Sequence, residues 1–321
     1  MKQRTIRNIL VVLMALAAVP GGQLFAEDGK VNASYLYTLS NFSGIYPANW
    51  AKIGVDASKG EIYVVSSTKV KIFNRDGMEV FSFNEGAELG TVTDVAVDER
   101  TGDIIVIGFR QHLGRTEIIR CNFRGEQIAA IEMKNLPAEF SDFVPNRLAV
   151  QGGDLYLANT NDLKVIVTDD AGTFKKGLDI ARLIEQDLTE KEKQDTGMTG
   201  FNVDREGRVL FSNSNMARVF RLSFDGKAES FGVRGGTAGK FGVPSGVVAD
   251  ATGKYLLVAD LLRSVVMIFD KDFRFQSEFG IKGNKPESLV GPMHLAVDGQ
   301  NRLYVSQLRN RGVNVYQLSG S

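Results

Sequence analysis

Cysteine, histidine and tryptophan are nearly missing from this chain: 321 residues contain one cysteine, Cys121, two histidines, His112 and His294, and one tryptophan, Trp50. One cysteine excludes any intramolecular disulfide, and without a Cys-x-x-Cys-His run covalently attached c-type haem is excluded too. Cys121 lies in the strand-like run Ile118-Ile119-Arg120-Cys121-Asn122-Phe123, where a thiol packs as a small hydrophobe instead of reacting. Charge of one sign is also lacking, since 38 basic residues balance 38 acidic ones, so a global affinity for polyanions is not supported. No Gly-x-Ser-x-Gly, no His-Glu-x-x-His and no zinc-ligand spacing occurs. Gly235-Gly236-Thr237-Ala238-Gly239-Lys240 lacks both the glycine spacing and the hydroxyl residue after lysine that a phosphate loop needs.

One long apolar run exists, Ile9 to Val19, and it is short against the ~20 residues that span hydrocarbon. Lys2, Arg4 and Arg7 precede it, and Leu24-Phe25-Ala26 offers a small-residue cleavage end, the order found in a secretory signal peptide. Export to the periplasm or the extracellular space is therefore expected, with residues 1–26 removed and no membrane span in the mature chain. Cleavage takes away three basic and no acidic residues, leaving 35 against 38.

What the chain does have is a repeat. Ile53-Gly54-Val55-Asp56, Val95-Ala96-Val97-Asp98, Leu148-Ala149-Val150-Gln151, Phe201-Asn202-Val203-Asp204, Val247-Val248-Ala249-Asp250 and Leu295-Ala296-Val297-Asp298 recur at roughly 40 to 55 residues. Each is followed by a second β-branched or aromatic run, such as Ile62-Tyr63-Val64-Val65, then a third and, in most units, a fourth. This predicts an all-β fold over residues 27–321, a six-bladed β-propeller of four-stranded antiparallel blades. The chain stops after the third strand of the sixth unit, and Ser34-Tyr35-Leu36-Tyr37-Thr38-Leu39 has the composition to complete that blade. One insertion, about residues 178–195, carries Ile180, Leu183, Ile184 and Leu188 at helical spacing between blades three and four. It is read either as a surface helix packed on the blades or as a lid.

Phe231-Gly232, Gly235-Gly236, Gly239-Lys240-Phe241, Pro244-Ser245-Gly246-Val247-Val248-Ala249-Asp250, Val258-Ala259-Asp260 and Ile268-Phe269-Asp270 together resemble an NHL repeat. Phe279-Gly280, Gly291-Pro292 and Leu303-Tyr304-Val305 echo it in the next unit, while Gln151 and the missing Ala-Asp in blades two and three depart from it. The resemblance implies a bacterial exported propeller that serves as a protein-binding or assembly scaffold without enzymatic activity, monomeric or within a hetero-complex.

Binding on such a disc is expected on loops held by the rigid blades. Four residues before each repeat aspartate, or Gln151, stand Lys52, Asp94, Arg147, Gly200, Gly246 and His294, a ring at one mouth. Loops after the second strands add Arg218, Arg263, Arg309 and Arg311. The candidate binding set is therefore Lys52, Asp94, Arg147, Arg218, Arg263, His294, Arg309 and Arg311, a basic mouth for an acidic partner in the cell envelope; ordinary solvated loop charge is the competing reading. No catalytic residue, metal ligand or cofactor is assigned, because cations beside His294 and Asp94 repel a metal ion. Two alternatives stay open: a metal-assisted lactonase or lyase on the same kind of ring, and a cell-surface carbohydrate binder. Nucleic acid is not expected as a partner. If the leader is cut as read, mass spectrometry of the exported protein will show a chain beginning at Glu27.

Overall fold

Second-strand runs such as Ile62-Tyr63-Val64-Val65 and Ile104-Ile105-Val106-Ile107 are apolar at every position, which suits a strand covered on both faces. The computed structural model, which describes residues 31–185, 188–189 and 197–320, places each of them second from the axis in a radial sheet. Six four-stranded antiparallel sheets follow one another around a central channel. Blade one is Lys52–Asp56, Glu61–Ser66, Lys69–Phe73 and Glu79–Phe83. Blade two is Thr91–Asp98, Asp103–Arg110, Arg115–Cys121 and Gln127–Ile131. Blade three is Arg147–Gln151, Asp154–Asn159, Lys164–Thr168 and Phe174–Asp179. Blade four is Gly200–Val203, Val209–Asn213, Arg218–Leu222 and Ala228–Phe231. Blade five is Pro244–Ala249, Tyr255–Asp260, Val265–Asp270 and Phe275–Phe279.

Blade six takes Leu295–Val297, Arg302–Ser306 and Val313–Ser319 from the end of the chain and Asn32–Thr38 from its beginning. The two terminal strands run antiparallel, with Asn32 opposite Ser319, Tyr35 opposite Tyr316 and Thr38 opposite Asn314. This is the closure expected from the composition of residues 34–39. The Thr38 hydroxyl donates to Asn314 Oδ1 at 2.8 Å, and the Tyr35 and Tyr316 rings meet edge to face at 5.8 Å.

Strand alternation assigns each side chain to one of two neighbours. Ile62 and Val64 face blade six, whereas Tyr63 and Val65 face blade two. Ile104 and Val106 face blade one, and Ile105 and Ile107 face blade three. Six apolar clusters result, one in each gap between blades. Cys121 is buried in the cluster between blades one and two, and burial pushes its thiol up to about 12, so it stays protonated.

The repeat aspartates are buried and act within their own turns. Asp56 Oδ1 accepts from the backbone N–H of Ser58 and Lys59, Asp298 Oδ1 from those of Gln300 and Arg302, and Asp250 from Thr252 and Tyr255. Blade three needs no such carboxylate, because its first hairpin is a two-residue Gly152-Gly153 turn with φ of +60° and +85°. Gln151 is thus explained by a shorter turn. The missing Ala-Asp of blade three is replaced in function: Asn159 Nδ2 donates to the Val144 carbonyl of the incoming link, much as Asp260 accepts from Gly242 and Val243 in blade five.

The insertion begins with a short helix, Ile180–Ile184, capped by Asp179, whose carboxylate accepts from the Arg182 N–H. Ile180, Ile184 and Leu188 are buried in the cluster between blades three and four, so this part is packed on the blades. Residues 186–187 and 190–195 of the insertion, and the expected leader 1–26, lie outside the described residues. Among the described residues no helix is long and apolar enough to cross a membrane. Packing between blades sets stability: Ile105→Ala is expected to cost about 2–5 kcal/mol, against roughly 0.5 kcal/mol or less for Val80→Ala on an exposed outer strand, as read from urea unfolding of both.

Candidate functional site

Each inner strand pairs with its blade on one side only, so six free edges of backbone N–H and C=O converge on the axis. They enclose a cavity of about 500 Å³. Its lining runs from turn residues such as Arg100, Gly153 and Gly299 at one mouth to Lys52, Asp94, Arg147 and His294 at the other end. These four come from blades one, two, three and six.

Blades four and five contribute glycine at the same level for a steric reason. A Cβ on Gly200 would lie 2.2 Å from the Ser245 carbonyl oxygen, and one on Gly246 would lie 2.5 Å from that of Met293. Inner strands approach so closely there that no side chain fits. The next ring inward is small in four blades, where a Cβ on Gly54 would stand 3.0 Å from the Val95 oxygen and Ala96, Ala149 and Ala296 occupy equivalent places, with Asn202 and Val248 completing it. At the level of Gly200 and Gly246 functional groups are therefore confined to the side of blades six, one, two and three, while Asn202 of blade four lines the cavity one ring further in.

Within that group Lys52 Nζ lies 2.7 Å from His294 Nε2, bridging adjacent blades. Burial, then the cations Lys52 and Arg147, push the His294 imidazole well below its ordinary pKa, so it is neutral and accepts the lysine's hydrogen bond. Burial, then Arg147, pulls the Lys52 ammonium down to about 7, with Asp94 opposing. Asp94 is buried, which raises its carboxyl pKa, while Arg147, Lys52 and two backbone donors oppose that rise. Its Oδ1 accepts from Val95 N–H and its Oδ2 from Leu148 N–H, both at 3.0 Å, so the carboxylate ties blade two to blade three. Arg147 Nη1 donates to the Asn146 carbonyl at 2.6 Å. Chemically the group is an electropositive end wall with one acceptor carboxylate already engaged.

The other four residues of the expected set do not join it. Arg263 pairs with Glu278 at 2.6 Å on the rim of blade five and also donates to the Lys240 carbonyl. Arg218 opens the third strand of blade four. Arg309 is exposed, and Arg311 Nη2 donates to the Lys285 carbonyl at 2.8 Å, both in the second hairpin of blade six. His112 is exposed in the expanded hairpin of blade two. Counting along the repeat does not reveal that Trp50 stands beside that Arg309 hairpin. Trp50 N–H donates to the Gln307 carbonyl at 3.0 Å, and Arg309 N–H donates to Asn49 Oδ1 at 2.9 Å. Both residues hold left-handed backbone, φ 51° and 58°, uncommon without glycine. Among the described residues no three His, Cys, Asp or Glu side chains gather in a metal-holding group.

The PRC-barrel domain family matches residues 69–134. That stretch covers the outer half of blade one, all of blade two and part of the next link, and is split between two sheets, so it assigns no family to the chain. No curated protein matches by sequence. Solved structures do. A streptogramin B lyase is similar with TM-score 0.55 at 10% identity, covering 91% of this chain and 98% of that one. A putative gluconolactonase gives TM-score 0.59 at 12% identity, covering 90% and 93%. A structural genomics protein of unknown function from Bacteroides thetaiotaomicron gives 0.63 at 13%, covering 91% and 76%. Identities this low speak to the fold alone: the chain is a six-bladed β-propeller protein.

Lys52 carries a stability signature. Its folded pKa of about 7 lies below the unfolded value of about 10.4, so between those values the unfolded chain binds a proton that the folded chain does not. Stability contributed by this group is lost as pH falls through about 7 and is fully present above about 10.4. The melting temperature of the parent is therefore expected to gain on that of Lys52→Met as pH rises across this window; a gap independent of pH would contradict the assignment.

Proposed function

We propose that the mature chain is an exported, non-enzymatic scaffold of the NHL-repeat propeller kind that binds an acidic protein partner in the cell envelope. Export rests on the leader-like order of residues 1–26. The observation that carries the binding half is that Trp50, 41% exposed, and the exposed Arg309 stand on neighbouring loops, tied through Asn49 and Gln307, on the face where the inner strands begin. Tryptophan and arginine are the side chains that most often anchor protein interfaces.

The neighbouring surface supports the same reading. Leu262, 68% exposed, tips the equivalent hairpin of blade five, and Arg311 is held by backbone carbonyls with no carboxylate in ion-pair range among the described residues. Cations left uncompensated beside exposed apolar groups complement an acidic, partly apolar protein surface.

Affinity capture of envelope proteins on the mature chain, with cross-linking to locate the contact, tests this. A partner cross-linked near Trp50 and retained about tenfold or more weakly by the Trp50→Ala/Arg309→Ala double variant is expected. Equal retention by both proteins, or lactone turnover by purified protein carrying one bound divalent metal, overturns the reading.

A further inference from the structure

We propose that the end of the axial cavity is a binding site for a small organic acid, its carboxylate held between Lys52 and Arg147 and its carbon skeleton lying in the channel. The geometry begins with unspent charge. Lys52 Nζ contacts only the neutral His294 ring among its hydrogen-bond partners, and Arg147 donates to a backbone carbonyl. Asp94 does not neutralise them at contact distance: its two oxygens are taken by Val95 and Leu148 N–H groups, and neither cation forms an ion pair among the described residues. Below about pH 7, where Lys52 is protonated, two cations and one engaged carboxylate leave one net positive charge at this end of the cavity. A single carboxylate balances it, whereas a dianion would set a second negative charge near Asp94.

Size and lining narrow the ligand further. About 500 Å³ falls within the range of small-molecule sites and excludes a folded protein domain. The walls combine small apolar side chains, Ala96, Ala149 and Ala296, with the free backbone edges of the inner strands. Such walls suit a short skeleton bearing hydroxyl groups. The mouth lined by Arg100, Gly153 and Gly299 lies opposite the Trp50 and Arg309 surface. The inference thus goes beyond the scaffold reading and does not depend on it.

The chain contains its own reporter, because it has only two histidines, one at the site and one exposed in a distant hairpin. In the full mature protein, ring NMR signals of His294 are followed while lactate is added, with its uncharged amide lactamide as the control and His112 as the internal reference. Expected are a saturable shift of His294 with lactate, none with lactamide, a still His112, and about tenfold or more weakening in Arg147→Gln. No saturable shift, an equal response to lactamide, undiminished binding in a folded Arg147→Gln, or tighter binding of inorganic phosphate than of lactate would each overturn the proposal. The lactate and lactamide comparison needs no variant, so a variant that fails to fold does not rescue the idea. Trp50→Ala/Arg309→Ala is expected to bind lactate normally, which separates failure of this site from failure of the scaffold reading.

Discussion

Everything in this molecule rests on packing between neighbouring blades. Among the described residues no sheet is covered by a layer of helices; each is buried by the sheets on either side, through one apolar cluster per gap. Such an arrangement holds only if the ring closes, because an open series would leave two faces bare. Closure is supplied by backbone pairing of Asn32–Thr38 with Val313–Ser319, which joins the ends of the chain inside one blade. Val31, Leu318 and Tyr316 then fill the gap between blades five and six.

The same convergence determines where chemistry is possible. Six strands meeting at an axis leave little room, and at Gly200 and Gly246 the backbone of the next blade already occupies the place of a Cβ. At the level of those two glycines the other four blades carry Lys52, Asp94, Arg147 and His294, and crowding there alters their acid–base behaviour. Low hydration combined with neighbouring positive charge makes a neutral histidine and a weakened lysine out of two groups that behave ordinarily in water. The cluster reads as an electrostatic end wall, while the exposed Trp50 and Arg309 present a separate surface.

Much of this was legible in the residues themselves. The sixfold turn pattern, with aspartate in five units and Gln151 in the third, announced six blades, and the unpaired third strand at the C-terminus announced its partner near Tyr35. The ring Lys52, Asp94, Arg147 and His294 followed from counting, because strand period and repeat register together place equivalent residues at equivalent heights. Counting fails at the rim. Arg263 spends its charge on Glu278, from the outer strand of its own blade, and Arg311 reaches into the preceding link. Long side chains choose partners by distance, which the repeat does not encode. The roles of Gln151 and Asn159 were also hidden, since a two-residue glycine turn and an amide achieve by other chemistry what the aspartates do elsewhere.

Blade count, strand order, the closing strand and the heights of the axial residues follow from local propensity and a periodic pattern, and all can be read along the chain. Which of those residues touch, and which charges are cancelled, emerges once the chain has folded. Those depend on distances between atoms from different blades, and six repeats that look alike along the chain become unequal once they crowd around one axis.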